Sequence, residues 1–287
     1  MPSHSTCIMK LILLVLVCFL TACQTNHLAS SPTFTPTPPS PTQTALPTQT
    51  ATSTVTPTTA PSLTPTPVFL LCSPLEDETF DSLPLILANP LNIPPHFGQD
   101  TGHHGVDFAY YRRGDRESIE GIEIYAIMAG MTVFSFPADD LPYGYGVMIE
   151  TPLADLPEPL QKQLLGGYLP VPEDPHYRLY CPPVDPPTIT GDFSVYHLYA
   201  HMENPSTLEF GDPIRCGQVL GTVGNTGYSS SPHLHLETRL GPSGADFESM
   251  AHYDIYTPQQ MGNYCLWRMS GYYQLFDPFI LLDAALD

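Results

Sequence analysis

The residues of this chain best suited to chemistry lie in two short stretches. The first is His103-His104-Gly105-Val106-Asp107, and the second is Pro232-His233-Leu234-His235-Leu236-Glu237, which follows a Gly-rich, turn-forming run from Gly221 to Gly227. Successive side chains of an extended strand point to opposite faces, so His103, Gly105 and Asp107 share one face while His104 and Val106 share the other. Gly105 has no side chain and leaves a slot between a histidine and a carboxylate. The same parity aims His233 and His235 to one side, where both imidazoles can reach a common centre. Two ring nitrogens and one carboxylate oxygen suit Zn²⁺ with a fourth coordination position left for water, as in catalytic rather than closed structural zinc sites. Parity joins His103 to Asp107 and sets His104 aside. It does not choose between His233 and His235.

Strands must hold such residues. Residues 122–126 and 131–135 are β-rich and separated by Ala129-Gly130, which reads as a strand pair with a tight turn; residues 145–150 and 194–201 read as two further strands. A turn and another strand occupy 213–221, ahead of the His-Leu-His strand. The stretch 69–93 is apolar and punctuated by Pro74, Pro84 and Pro90, an irregular lead-in that packs on the sheet. Residues 110–121 carry mixed charge and read as a solvated loop, in which Arg113-Gly114-Asp115 is a chance tripeptide. Residues 151–193 form a long Pro-rich insertion with one helical candidate at 159–165, and a Tyr- and Met-rich tail follows Arg239. Many short strands with Gly turns predict an all-β fold, an antiparallel sheet or open barrel-like domain carrying that insertion and an extended C-terminal tail.

Composition divides the 287 residues into three. Residues 1–22 have a basic Lys10 and a ten-residue apolar run, 11–20, shorter than the ~20 residues of a bilayer span and suited to a cleaved signal peptide. Leu20-Thr21-Ala22-Cys23 resembles a bacterial lipobox, which makes Cys23 the lipidated first residue of the mature protein and its contact with the membrane. Residues 23–67 contain no Asp, Glu, Lys or Arg and are dominated by Thr, Pro and Ser, a disordered, partly polyproline tether. The remaining residues, 68–287, hold every acidic side chain of a chain whose net charge is -20, which argues against nucleic acid as a partner. Of the 7 cysteines, Cys72, Cys181, Cys216 and Cys265 remain in this part. An even count in an exported domain predicts two disulfides. The expected pairs are Cys181 with Cys216 and Cys72 with Cys265, the second clipping the domain's two ends together.

Over residues 97–237 the chain resembles the lysostaphin-type zinc metallopeptidases, the LytM-like peptidoglycan endopeptidases. Three blocks carry the resemblance in order: H-x-G-x-D at 103–107, Tyr199-Ala200-His201, and the G-x-x-G-x-T-G…P-H-x-H block ending at His235. The resemblance implies that His103, Asp107 and His235 bind Zn²⁺ and that His201 and His233 are catalytic. It implies a monomeric cell-surface endopeptidase that cuts peptide cross-links of peptidoglycan with metal-activated water. The alternative is a non-catalytic wall-binding or regulatory module that activates other wall hydrolases; a module of that kind needs neither the full ligand set nor the two extra histidines. His96, His104, His176, His197 and His252 are expected to be ordinary satisfied polar side chains.

Overall fold

The computed structural model describes residues 69–285 apart from 174, 184, 254 and 255. The expected signal peptide, lipobox Cys23 and Thr/Pro-rich tether lie outside the described residues. Ten strands are present among the described residues: β1 (Leu87–Asn89), β2 (Val106–Phe108), β3 (Glu123–Tyr125), β4 (Gly130–Phe136), β5 (Tyr145–Pro152), β6 (Phe193–Met202), β7 (Pro213–Ile214), β8 (Val219–Thr222), β9 (Leu234–Pro242) and β10 (Gln274–Leu275). The main sheet runs β1-β2-β9-β6-β5-β4-β7, with β10 added against the far end of β9, and all its pairings are antiparallel. It is open at β1 and β7, so the fold is an antiparallel sheet and no closed barrel.

Both faces of the sheet are covered, and the two longest strands show it in their sequence. Along β6, Val195 and Tyr199 enter one apolar cluster with Val147, Ile149, Leu234, Leu236 and Leu240, while Tyr196, Leu198 and Ala200 enter another with Met148, Tyr264, Trp267 and Tyr273. Period-2 alternation of apolar residues on both faces therefore produces a nearly continuous apolar run, as expected of a strand with no solvated side. The aliphatic face is covered by the lead-in, by α1 (Glu158–Gly167) and by α3 (Phe279–Leu282); the aromatic face is covered by α2 (Pro258–Arg268). Helix α2 opens with a capping box, in which the Thr257 hydroxyl accepts from Gln260 N and the Gln260 side chain accepts from Thr257 N.

Four expectations are corrected. The segments at 122–126 and 131–135 do not pair with each other: β3 pairs with β8 in a separate two-stranded sheet, and β4 pairs with β5 and β7. The lead-in is not merely irregular, because β1 adds an edge strand against β2. The tail contains a helix, α2, that its Tyr and Met content did not suggest, since its apolar residues pack nearly all round rather than along one stripe. The disulfides are Cys72 with Cys216 and Cys181 with Cys265. Leu75 bridges to Ile124 of β3, whose partner β8 follows Cys216, so strand pairing brings Cys72 to Cys216. Cys265 lies on α2 over the aromatic face, where Cys181 of the insertion packs.

Candidate active site

Register sets the site. On the antiparallel neighbours β2 and β9, Asp107 lies directly opposite His235, and on the other side of β9 His235 lies opposite Ala200. Side chains of directly opposed residues share a face. His235 Nδ1 lies 2.8 Å from Asp107 Oδ1, and His103 Nε2 reaches the same oxygen at 3.0 Å from just before β2. Gly105 is the enabling residue between them: a Cβ there would meet His235 Cε1 at 2.7 Å and Nε2 at 2.8 Å. The slot read from the sequence is filled by the His235 ring.

His201 reaches the site by breaking the alternation of β6. Its neighbours Ala200 and Met202 fall in different apolar clusters, and His201 itself has φ +63°, the left-handed region that non-Gly residues rarely enter. The turn is held by His201 N donating to Tyr143 O (3.0 Å) and by Gly224 N donating to His201 O (3.0 Å). It brings the imidazole within 4.6 Å of the His233 ring and 5.7 Å of the His235 ring, centroid to centroid. His233 sits just ahead of β9, its Nε2 3.5 Å from Asp107 Oδ1.

The hydrogen bonds fix which nitrogen each histidine offers. Carbonyl oxygens only accept, so Nδ1–H donates to Pro90 O in His103 (3.0 Å), to Thr226 O in His201 (2.8 Å) and to Ser231 O in His233 (2.8 Å). Each then presents Nε2 to the cleft. His235 is turned the other way, with Nδ1 at Asp107 and Nε2 3.6 Å from Glu237 Oε2. Burial disfavours a charge on His235, yet Asp107 and Glu237 on its two sides push its pKa up to about 9. Burial works against the Asp107 carboxylate as well, but contacts with His103 and His235 hold it well below the usual range. The cluster thus stabilises a positive charge between carboxylates. His103, Asp107 and His235 offer three ligand atoms within 4.8 Å of one another, with backbone and carboxylate partners behind the histidines in the manner of metal-ligating imidazoles. These residues fit a divalent metal. Burial, then the neighbouring histidines, lowers the His201 pKa to about 3, and burial also lowers that of His233. Both are neutral bases near pH 7.

Beneath the histidines lies a second polar cluster that the sequence reading did not assign. Glu237 is fully buried and Arg239 is 2% exposed. Arg239 Nε donates to Glu237 Oε1, Nη1 to Trp267 O and Tyr273 O (both 2.8 Å), and Nη2 to His104 Nδ1 (2.9 Å). Tyr143 OH donates to Glu237 Oε2 at 2.9 Å. Arg268 pairs with Asp100 at 2.7 Å. Burial and then the charges of Arg268 and Arg239 push the His104 pKa far down, so His104 is a neutral acceptor for Arg239 and lies outside the group of His103, Asp107 and His235. Glu237 and Arg239 follow His235 at period 2 on one face of β9, a signal that could have found them. Asp100, Tyr143 and Arg268 come from distant segments and carry no such signal. Of the other histidines, His197 is buried between two hydroxyls, while His96 and His176 line a second cavity of about 520 Å³ between the insertion and the tail.

No curated protein matches the chain. Among solved structures it is similar to a point mutant of the catalytic domain of the prophage-encoded M23 protein EnpA from Enterococcus faecalis, at 18% identity over 55% of this chain and 82% of that one, TM-score 0.31. It is similar at 17% identity to the catalytic domain of the antimicrobial peptidase lysostaphin from Staphylococcus simulans, over 54% of this chain and 83% of that one, TM-score 0.29. A zinc containing peptidase from Vibrio cholerae is similar at 17% identity over 59% of this chain and 33% of that one, TM-score 0.28. The family model of peptidase family M23 matches residues 188–247, a stretch that includes His201, His233 and His235. Over that stretch the chain is similar to peptidase family M23.

Proposed function

We propose that the protein is a zinc-dependent endopeptidase of the bacterial envelope, anchored through lipidated Cys23 and reaching peptidoglycan peptides on its Thr/Pro-rich tether. The observation that carries this reading is the convergence of His103, Asp107 and His235 on one point with His201 and His233 beside it. His103, Asp107 and His235 would hold Zn²⁺, which when bound would supply Lewis acidity toward water and a peptide carbonyl. His201 and His233, neutral and pinned through Nδ1, hold Nε2 ready to take a proton from the attacking water and return one to the leaving amine. Glu237 orients His235 from behind, and the buried Arg239 keeps Glu237 ionised. Gly105 keeps the His235 ring against the strand.

The test is mass spectrometry of fragments released from isolated cell wall by the purified, zinc-loaded chain, with zinc content measured in parallel. Expected are about one zinc per chain, its loss in Asp107→Ala, and new amino termini within the peptide cross-links. A zinc-loaded wild-type chain that releases no fragment overturns the reading.

A further inference from the structure

The cleft of about 340 Å³ that holds the histidines is also lined by Tyr228 and Tyr253, which the proposed chemistry does not use. They come from the Gly-rich loop and from the C-terminal tail, yet their rings stack with centroids 6.0 Å apart at 29°, while remaining 76% and 56% exposed. Tyr253 is held there against backbone preference. Its φ is +80°, its hydroxyl donates to Asp100 Oδ2 (2.7 Å), and its ring leans on His252 at 3.9 Å. Asp100 is itself fixed by Tyr264 OH (2.6 Å) and by Arg268. An exposed pair of aromatic rings thus lies at the mouth of the site, with Tyr253 anchored.

The charges around that pair narrow what it can take. Arg268 is the one Lys or Arg among the described residues lining the cleft; its side chain is 10% exposed and already engaged by Asp100. The remaining polar lining includes Asn89, Asp107, Ser229 and Ser230. The domain's single lysine, Lys162, lies on α1 and pairs with Glu158. Away from the metal ligands, a carboxylate beside the two tyrosines meets no unengaged Lys or Arg, whereas an ammonium group meets aromatic rings. Cations are attracted within about 6 Å of a ring centroid, so at this spacing one ammonium can engage both rings.

We infer that Tyr228 and Tyr253 form a subsite for a primary ammonium group borne by the substrate next to the scissile bond. The inference rests on the proposed peptidase reading and names its substrate class, a peptide with an amine-bearing side chain.

Two measurements test it. The zinc-loaded full chain is titrated with n-butylammonium chloride or with neutral N-butylacetamide at fixed ionic strength, and the ring-proton resonances of Tyr228 and Tyr253 are followed. Saturable shifts with the amine alone support the subsite; equal responses to both probes, or none, overturn it. Cleavage is then compared for blocked peptides that differ only in Lys against Nε-acetyl-lysine beside the cut bond. We expect a three- to tenfold preference in kcat/KM for the Lys peptide, on the scale of a cation–π contact. The ratio should fall to about one in Tyr228→Leu and Tyr253→Leu and persist in Tyr253→Phe, which keeps the ring. Should Tyr253→Leu not fold, Tyr228→Leu decides, since that side chain is mostly exposed. A ratio near one in the wild type, or one that persists in the Leu variants, overturns the subsite. If neither peptide is cleaved, the peptidase reading fails, and the amine titration still decides the subsite.

Discussion

Two buried polar clusters meet at His235, and they are built in opposite ways. Around Arg239 the donors and acceptors match: the guanidinium meets Glu237, two backbone carbonyls and His104, and Glu237 accepts in addition from Tyr143. Around Asp107 three histidine nitrogens crowd one carboxylate, two of them on rings whose other nitrogen is committed to a backbone carbonyl. The first cluster is closed and serves as scaffold. The second would be completed by a positive charge from outside, which makes it the place for the proposed metal and reaction. A fully satisfied buried network rigidifies a fold, whereas acceptors gathered without donors are tolerated where they bind something.

The comparison predicts what breaks each cluster. The largest effect should come from Arg239→Ala, which strands a buried Glu237 carboxylate. Losses of about 3–5 kcal/mol are usual when one partner of a buried pair is removed. Guanidinium unfolding measures this, and a loss under about 1 kcal/mol would show that the cluster is not closed in the sense argued. On the open side, His201→Ala and His233→Ala should each keep zinc and lose about a hundredfold or more in cleavage rate, the scale of general acid–base catalysis. A variant with near-normal rate removes that residue from the mechanism. His104→Ala distinguishes the clusters directly. Zinc content should be unchanged, since His104 faces Arg239, while stability falls by about 1–3 kcal/mol from an unpaired guanidinium N–H. Loss of zinc there would merge the two clusters into one.

The smallest effect is a pH response on the opposite face of β6. His197 is buried with Nε2 donating to Thr151 Oγ1 (3.0 Å) and Nδ1 accepting from Tyr199 OH (2.9 Å), a small closed cluster that admits no second proton. Burial lowers its pKa from 6.5 to about 3. Between those values the unfolded chain binds more protons than the folded one, so this stability is complete above pH 6.5 and declines as the pH falls toward 3. From pH 7 to pH 6 the decline should be under about 1 kcal/mol, growing below. His197→Gln should flatten the slope of denaturation midpoint against pH, and an unchanged slope would assign the response elsewhere.

Parts of this arrangement are legible in the sequence for a physical reason. Period-2 alternation on β2 and β9 places His103, Asp107, His233 and His235, excludes His104, and extends to Glu237 and Arg239. Strands β5 and β6 are legible because both of their faces are apolar. What sequence alone does not yield depends on contacts between remote segments. The Cys72–Cys216 and Cys181–Cys265 pairs follow from the β3–β8 sheet and from α2, neither of which local pattern reveals. The left-handed φ of His201 is imposed by Tyr143 and Gly224. Asp100 and Arg268 come from segments far apart in the chain and are joined only by folding.

The Cys72–Cys216 bond bears on how the domain carries load. Tension drawn along the chain ahead of residue 69 divides at Cys72, whose N–H is also tied to Ile127 O (3.0 Å). One branch is the disulfide and leads straight to Cys216, between β7 and β8. The other runs through the lead-in to β1, where Asn89 Nδ2 donates to Asp107 Oδ2 (3.2 Å). Because the disulfide shares the load, only part of the pull reaches the segment that touches Asp107. With the anchor proposed above, pull on the chain would strain the proposed site less while that bond is oxidised than after its reduction.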